Sequence, residues 1–403
     1  MKKASNKNAH IGLVNKSNIS QTQFFILFCL CFFMPATVLL PRLMVEYAGN
    51  LAWVCPIVGS VLLVGMFFLY QLLFRAEGDG LSEKAVGILG KPLAIVLCIM
   101  IMLFCLFLAS FYARHFAERV LMVYLTDTST TTIILGLLIV VLIALSSGLL
   151  SFARLCEVMF YIFVVVFLLV TLASLLDGLQ ASNIVGFEPS DIGGILKGSL
   201  IMFLPFCIFI CMSFFGERVN WRPHLLGQGI KSSAFLMICS TAVVLLCVGS
   251  LGVFGTKFLQ MPYFALTRQI EYLGPMKNIG SIVFSMWILS DFAIVATLCY
   301  SAAGVGQSIT HYRHRKTPIY VSVVIVFFVS IFAYRDMSTL NFIFDHIILP
   351  ASIAVAIGVP ILLLAVALIR GKVKLTNQDK KPQQQEIKNP QPISIATQTT
   401  TVE

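Results

Sequence analysis

An all-α polytopic membrane protein with about ten transmembrane helices is the fold class this sequence predicts. Three observations carry that expectation. Of 403 residues, 58% are hydrophobic and only 11% charged, whereas a soluble domain carries roughly 25% charged residues because its surface faces water. Mean hydropathy is +0.93. The apolar residues come in runs close to the roughly 20 residues that cross about 30 Å of hydrocarbon, and a helix surrounded by lipid can be apolar on every side.

The first run, from Phe24 to Ala48, follows the basic residues Lys2, Lys3, Lys7 and Lys16. It is too long for the apolar region of a signal peptide, and no small-residue cleavage site follows it. It is therefore read as the first span. The spans fall at 24–48, 53–74, 92–117, 131–150, 155–176, 193–215, 232–254, 278–306, 318–334 and 343–369. They form one transmembrane domain over 19–370. The flanking tails, 1–18 and 371–403, are expected to be cytoplasmic and disordered. The second holds Lys372, Lys374, Lys380, Lys381 and Lys388 among Gln and Pro clusters, a composition with nothing to bury.

Orientation follows from Lys and Arg. With the N-terminus inside, 20 of the 28 lie in inner segments, and cytoplasmic loops are the basic ones. Both termini are then cytoplasmic. The net charge of +10 reflects topology: the basic residues do not gather with aromatics as a nucleic-acid-binding surface requires. The longest outer connection, 255–277, places Phe264, Leu266, Ile270 and Leu273 near helical spacing. A short helix over the outer face is expected there, with an ordinary interfacial loop as the alternative.

Prolines interrupt two spans. Pro35 falls near the middle of span 1 with Pro41 after it, and Pro205 lies about twelve residues into span 6. Proline removes a donor and clashes with the preceding turn, and a freed carbonyl in lipid is costly unless protein or a wet cavity satisfies it. Interrupted helices at matching positions of two halves point to an inverted-repeat transporter with its site at the breaks. Prolines that merely kink a helix are the alternative.

Asp291 lies in mid-span in "FSMWILSDFAIV", where a carboxylate is expensive and functional by default. It is a candidate cation or proton site or a partner for a substrate amine. The structural reading is an interhelical hydrogen bond to a Ser, Thr or Tyr. Arg114 and Glu118, four apart on span 3, share a helix face as an ion pair fixing the helix end or as part of an outer gate. Asp345 with His346 is equally ambiguous, and Glu217 to Arg222 reads as an interfacial charged cluster. The eleven cysteines sit almost wholly inside apolar runs and read as small buried side chains. They form neither a CxxC pair nor a Cys/His set of the kind that holds zinc. The sequence contains no GxxxxGK[ST], HExxH or GxSxG motif. No enzyme activity and no cofactor is expected.

Several segments, taken in order, carry a resemblance: "ISQTQFFILF" at Ile19–Phe28, "LP" at Leu40–Pro41, "AW" at Ala52–Trp53, "LSEKAVGILGKPLA" at Leu81–Ala94, "SFYARHFAERV" at Ser110–Val120, "GLLSFARLCEV" at Gly148–Val158, "FEPSDIGGILKGSL" at Phe187–Leu200, and "FGTKFLQMPYFALTRQIEY" with "SMWILSDF" before and within span 8. Over about residues 19–370 the chain resembles the permease-like B subunit of bacterial spore germinant receptors, the GerAB-like spore permease family. The resemblance implies the amino acid–polyamine–organocation transporter fold, a LeuT-like 5+5 inverted repeat with broken helices 1 and 6. It implies a germinant site from Met34, Pro35 and Ala36 of span 1, Phe104 and Leu108 of span 3, Cys207, Ile208 and Phe209 of span 6, and Asp291 and Ile294 of span 8, with span 10 alongside. It implies partners too, an A-type membrane subunit and a C-type lipoprotein, in the spore inner membrane. Two departures stand out. Met34, Pro35 and Ala36 replace the family's span 1 glycines, and the Gly-x-Glu of span 6 falls on Phe209–Cys211, with Gly216–Glu217 about seven residues later. Losing those glycines closes the pocket and removes an anion-binding nest.

Three functions compete. The first is a sensor subunit that binds a small nutrient, an amino acid or similar, at mid-membrane. The second is an ion-coupled amino-acid transporter, and the third a structural subunit with a dead pocket. The sequence favours the first.

Overall fold

Ser20 starts the first helix. Its hydroxyl accepts from the Gln23 amide at 3.1 Å while Gln23 Oε1 accepts from the Ser20 amide at 3.0 Å, a reciprocal cap that satisfies two otherwise orphaned donors. In the computed structural model, which describes residues 18–74, 80–176, 178–184, 191–221, 225–269, 279–310 and 316–371, α1 (Gln21–Met34) runs to Pro35. A π-helical stretch, Pro35–Leu39, leads into α2 (Leu40–Ala48). The chain turns at Gly49 and returns as α3 (Cys55–Leu73). Short α4 (Leu81–Leu89) precedes the long α5 (Lys91–Val123), followed by α6 (Thr130–Ser146) and α7 (Leu149–Leu176).

The second half repeats the plan. Helices α8 (Asp191–Leu200) and α9 (Phe203–Ser213) share one interrupted crossing, and α10 (Leu225–Phe258) bends at Gly252, where φ is +70°. Then follow α11 (Pro262–Gln269), α12 (Ile279–Thr310), α13 (Lys316–Phe332), α14 (Met337–Ile343), a second π-helical stretch at Phe344–Ile348, and α15 (Leu349–Ile369). Seven described segments are long and apolar enough to cross a membrane. The first, Gln21–Leu73, folds back as two crossings, and the shorter Thr130–Ser146 and Lys316–Phe332 complete ten. The third crossing (33 residues) and the eighth (32 residues) hold equivalent places in the two repeats.

Burial sorts the helices. All eleven residues of α9 and most of α1 are buried, whereas α6, α7 and α13 present Leu, Ile, Val and Phe outward. Between α1, α3 and α9 the rings of Phe28, Phe67 and Phe206 surround Phe209 at 4.9 to 5.4 Å. A parallel two-residue strand pair, β1 (Ile19–Ser20) with β2 (Val219–Asn220), ties the start of α1 to the chain beyond α9.

The interruptions differ from the sequence expectation in an instructive way. Span 1 never leaves helical dihedrals; it passes through one π turn. Span 6 is interrupted at Ile201–Met202, ahead of the expected Cys207–Phe209. Pro205 is the third residue of α9, in the first turn, where its missing donor costs little. It begins a helix here instead of breaking one. The loop helix expected near 255–277 exists as α11, whose Phe264 ring sits 5.9 Å from Trp287; Ile270 and Leu273 lie outside the described residues, as do 1–17 and 372–403 of the tails.

Candidate functional site

One face of α12 organises the interior. Trp287, Ser290, Asp291 and Ile294 recur at the three- and four-residue spacing that places side chains on one stripe, and all four are buried. Ser290 reaches α1. Its hydroxyl accepts from the Met34 amide at 3.2 Å and donates to the Leu30 carbonyl at 2.9 Å. Those two groups would be bonded to each other in an unbroken α-helix. The hydroxyl therefore bridges two backbone groups of the last turn of α1, which is α-helical as far as Met34. Trp287 Nε1 donates to Thr37 Oγ1 at 2.8 Å, and Thr37 in turn donates to the Phe33 carbonyl at 2.9 Å. Side chains of α12 thus bond polar groups on both sides of Pro35.

Asp291 reaches the other way. Its Oδ2 accepts from Arg119 Nη2 of α5 in a buried ion pair. Arg119 Nε donates to the His115 carbonyl at 3.2 Å, and the guanidinium carbon lies 5.8 Å from the Trp287 ring, within cation–π reach. Arg119 and Asp291 are 2% and 0% exposed, so neither charge is offset by water. Arg119 Nη1, Asp291 Oδ1 and His115 Nδ1 are buried without a hydrogen-bond partner among the described residues. Such groups are costly when unpaired in a core, and an ordered water is one partner that satisfies them.

The expected site residues divide. Met34 and Asp291 are brought together through Ser290, with Pro35 and Ala36 on the π stretch and Ile294 one turn along α12. Leu108 is fully buried on α5, and Tyr112, one turn on, lies within electrostatic reach of Cys207, Asp291 and Arg119. Cys207 Sγ donates to the Leu204 carbonyl at 2.8 Å. Ile208 is buried, and Phe209 turns toward the aromatic cluster with α1 and α3. Phe104 sits apart from all of these, lining an apolar crevice between α5 and α13 with Leu103, Phe107 and Ile325.

The residues that sequence reasoning missed are Arg119, His115, Thr37, Trp287 and Ser290. Arg119 counted there only as an outer-side charge. A mid-span acid requires a counter-charge, and Arg119 stands on a neighbouring span one turn beyond His115. The Asp291 partner is therefore a cation, not the hydroxyl the structural reading expected. Arg114 and Glu118 do pair, at 2.7 Å, and Arg114 also donates to the Arg335 carbonyl at 3.0 Å, fixing the end of α5.

Two openings flank this cluster. At the end of the bundle where α1 begins, the N-terminal face, a cavity of about 290 Å³ lies between the α6–α7 turn, Glu217, Arg218, the end of α12 and Lys316. On the far side a cleft of about 20 Å³ is lined by Val38, Leu39, Arg42, Phe111, His115, Phe344 and Asp345, room for about one water.

Ten crossings, two repeats with interrupted first members and a buried polar cluster between the third and eighth helices define a membrane protein of the LeuT-like transporter fold. MhsT, solved in complex with L-phenylalanine, superimposes with a TM-score of 0.66 at 11% identity, covering 89% of this chain and all of that one. The nucleobase-cation-symport-1 family transporter Mhp1, solved in a closed conformation with bromovinylhydantoin, gives 0.58 at 13% identity, covering 89% of this chain and 82% of the other. The chain belongs to the spore germination protein family: the Spore_permease family model matches residues 18–338. Spore germination protein YndE of Bacillus subtilis (strain 168) is 27% identical over 278 residues, 66% of this chain and 75% of that protein. It is a germination-related, permease-like integral membrane protein and not an enzyme.

Proposed function

We propose that this protein is the nutrient-sensing subunit of a spore germinant receptor, and that a small nutrient, an amino acid or a similar molecule, acts on it at mid-membrane. The observation that carries this reading is the α12 face that grips α1 through Ser290 and α5 through Asp291. A ligand that disturbs this face changes the relation of both repeats at once, and that change is what a partner reads. Family membership supports the germination role, and the amino acid held by MhsT supports the ligand class. On this reading residues 19–370 are the sensing domain and both tails are cytoplasmic, the N-terminal face being the basic one. The protein sits in the spore inner membrane with an A-type membrane subunit and a C-type lipoprotein. Spores carrying Asp291→Asn, Leu108→Ala or Phe104→Ala are the test. Nutrient-triggered germination should fall for Asp291→Asn and Leu108→Ala with the protein still present by immunoblot. Unchanged germination in both would refute the reading.

Ion-coupled amino-acid transport is the second reading, favoured by the buried carboxylate of Asp291. Against it stands the fastening of α1 at the N-terminal face: the β1–β2 pair, and Gln23 Nε2 donating to Glu157 Oε2 at 3.0 Å. Proteoliposomes under an ion gradient discriminate the two readings. Binding without flux of labelled amino acid supports the sensor.

A further inference from the structure

Past α15 the chain starts its tail beside a groove. Arg370, the residue after that helix, donates through Nη1 to the Ile88 carbonyl at 2.9 Å, in the last turn of α4, where a cation complements the helix C-terminus. Residues 372–403 follow, outside the described residues. On the same N-terminal face, bounded by α4, the first turns of α5 and the end of α12, lies a groove of about 490 Å³. Its floor is apolar, with Ala94 and Ile95 of α5 and Ile309 of α12, and its rim carries Glu83, Glu217 and one cation, Lys91. Ile88 is buried whereas Val86, two positions earlier and lining the groove, is exposed. The root of the tail and the groove therefore lie on opposite sides of α4.

Three properties of the segment 372–381 match this groove. The first is reach. A helix of about 10–12 Å diameter is crossed by about four extended residues. The groove then runs back along α4 from Val86 past Glu83 to Glu217, which lies against Gly80: a Cβ on that glycine would meet the Glu217 amide at 3.0 Å. Those six positions are about 9 Å of helix, or about three extended residues. The second is pattern. The tail as a whole is polar, but it begins Lys372, Val373, Lys374, Leu375, an alternation that sets cations on one side of an extended chain and apolar side chains on the other, as a charged rim over an apolar floor requires. The third is charge. The segment holds Lys372, Lys374, Lys380 and Lys381 against Asp379, and the rim holds two acids against one lysine. Each exposed pair contributes little, but a tethered segment acts at an effective concentration in the millimolar range, so contacts too weak to hold a free peptide suffice.

We propose that residues 372–381 dock in this groove as an intramolecular strap. Leu375 seats on the apolar floor beside Val86, Lys374 meets Glu83, and Lys380 with Lys381 meets Glu217. The strap ties the end of α15 to α4 and to the turn that follows α9. It stands independently of what stimulus the protein detects.

The test is crosslinking in the purified full chain, one chain per phosphatidylcholine nanodisc, so that neither an anionic lipid nor a second copy competes. The eleven native cysteines are buried; Cys98, which lines the groove, is replaced by serine throughout. Oxidation should join Val86→Cys to Leu375→Cys. It should not join Leu375→Cys to Ser151→Cys, an exposed position at the neighbouring cavity. Maleimide labelling of Val86→Cys alone should be at least about threefold slower in the full chain than in a chain ending at Gly371, the protection given by a docked-to-free ratio of about two. Lys372→Glu with Lys374→Glu should abolish that protection, and Glu83→Lys added to them should restore it. Equal crosslinking at Val86 and Ser151, charge reversal without effect, or failure of Glu83→Lys to restore protection would overturn the proposal. So would equal labelling of the full and shortened chains; if both label slowly, the groove belongs to lipid.

Discussion

Replacing Arg119 with methionine removes the guanidinium that faces Asp291 and leaves a carboxylate at 0% exposure with neither oxygen partnered. Replacing Asp291 with leucine strands the guanidinium of a residue that is 2% exposed. Breaking a buried pair from one side costs roughly 3–5 kcal/mol, because the surviving charge remains desolvated. The figure belongs near the upper end for Asp291→Leu, since a buried guanidinium cannot shed its proton, whereas a stranded carboxylate can neutralise itself by taking one. Removing both charges together is a different perturbation: two apolar side chains of similar volume fill the space and no ion is left behind, so the double variant should lie within about 1 kcal/mol of the parent. The expected pattern is strong non-additivity, with the double variant more stable than either single one. Reversible unfolding of purified variants in mixed micelles, read by helical circular dichroism, measures all four corners. Single-variant losses that add up in the double would show that the two side chains do not depend on each other, and the account of the site given above would fail.

Three further perturbations probe neighbouring parts of the argument. Ser290→Ala withdraws the hydroxyl that bonds the Leu30 carbonyl and the Met34 amide and should cost about 0.5–1.5 kcal/mol, with faster hydrogen exchange at the Met34 amide as the local signature. Gly194→Ala would place a Cβ 2.2 Å from the Tyr47 carbonyl, whereas a Cβ on Gly193 meets nothing within 4 Å; the first should destabilise by about 1–3 kcal/mol and the second should not, by the same unfolding assay. Ser20→Cys with Asn220→Cys places cysteines at directly paired positions of β1 and β2, a separation a disulfide can bridge. Oxidation should leave nutrient-triggered germination intact, and loss of the response only in the oxidised form would show that α1 must detach at this end.

The lipid-crossing architecture was legible in the sequence because it is written in composition and run length, which need no partner to interpret. Ten runs became ten crossings, and the doubling of the plan showed in Pro35 and Pro205 five spans apart. What each proline does was not legible. Pro35 lies at the head of a π turn and Pro205 in the first turn of α9, and only the register of the surrounding helix separates those cases. The site was legible where chemistry is conspicuous in isolation, as at Asp291, an acid in an apolar run. It was not legible where function is relational. Ser290 and Trp287 are ordinary residues for a membrane helix until α1 lies against them. Arg119 near the end of a span is most simply a topology signal until α12 brings an acid within its reach. Phe104, which lines the crevice between α5 and α13, shows a limit of another kind: alignment by motif fixes a position along a helix but not the direction its side chain faces.

The two ends of the molecule are built unequally, and that bears on mechanism. At the N-terminal face α1 is fastened twice, by the strand pair and by Gln23 to Glu157, while the nearby cavity of about 290 Å³ lies among α6, α7, α12 and α13 without requiring α1 to move. At the far face the cleft is closed by two rings, Phe111 and Phe344, and bounded by the π turns of spans 1 and 10. Helical stretches with that irregular register change shape at less cost than a regular helix, since the i→i−4 ladder is already interrupted there. On the proposed sensor reading, a stimulus entering from the far side would meet the compliant end first and be transmitted through Arg119–Asp291 and Ser290–Met34 to α1, whose other end is held. Alternating access asks both ends to open in turn; a detector asks only that one end yield and the other report.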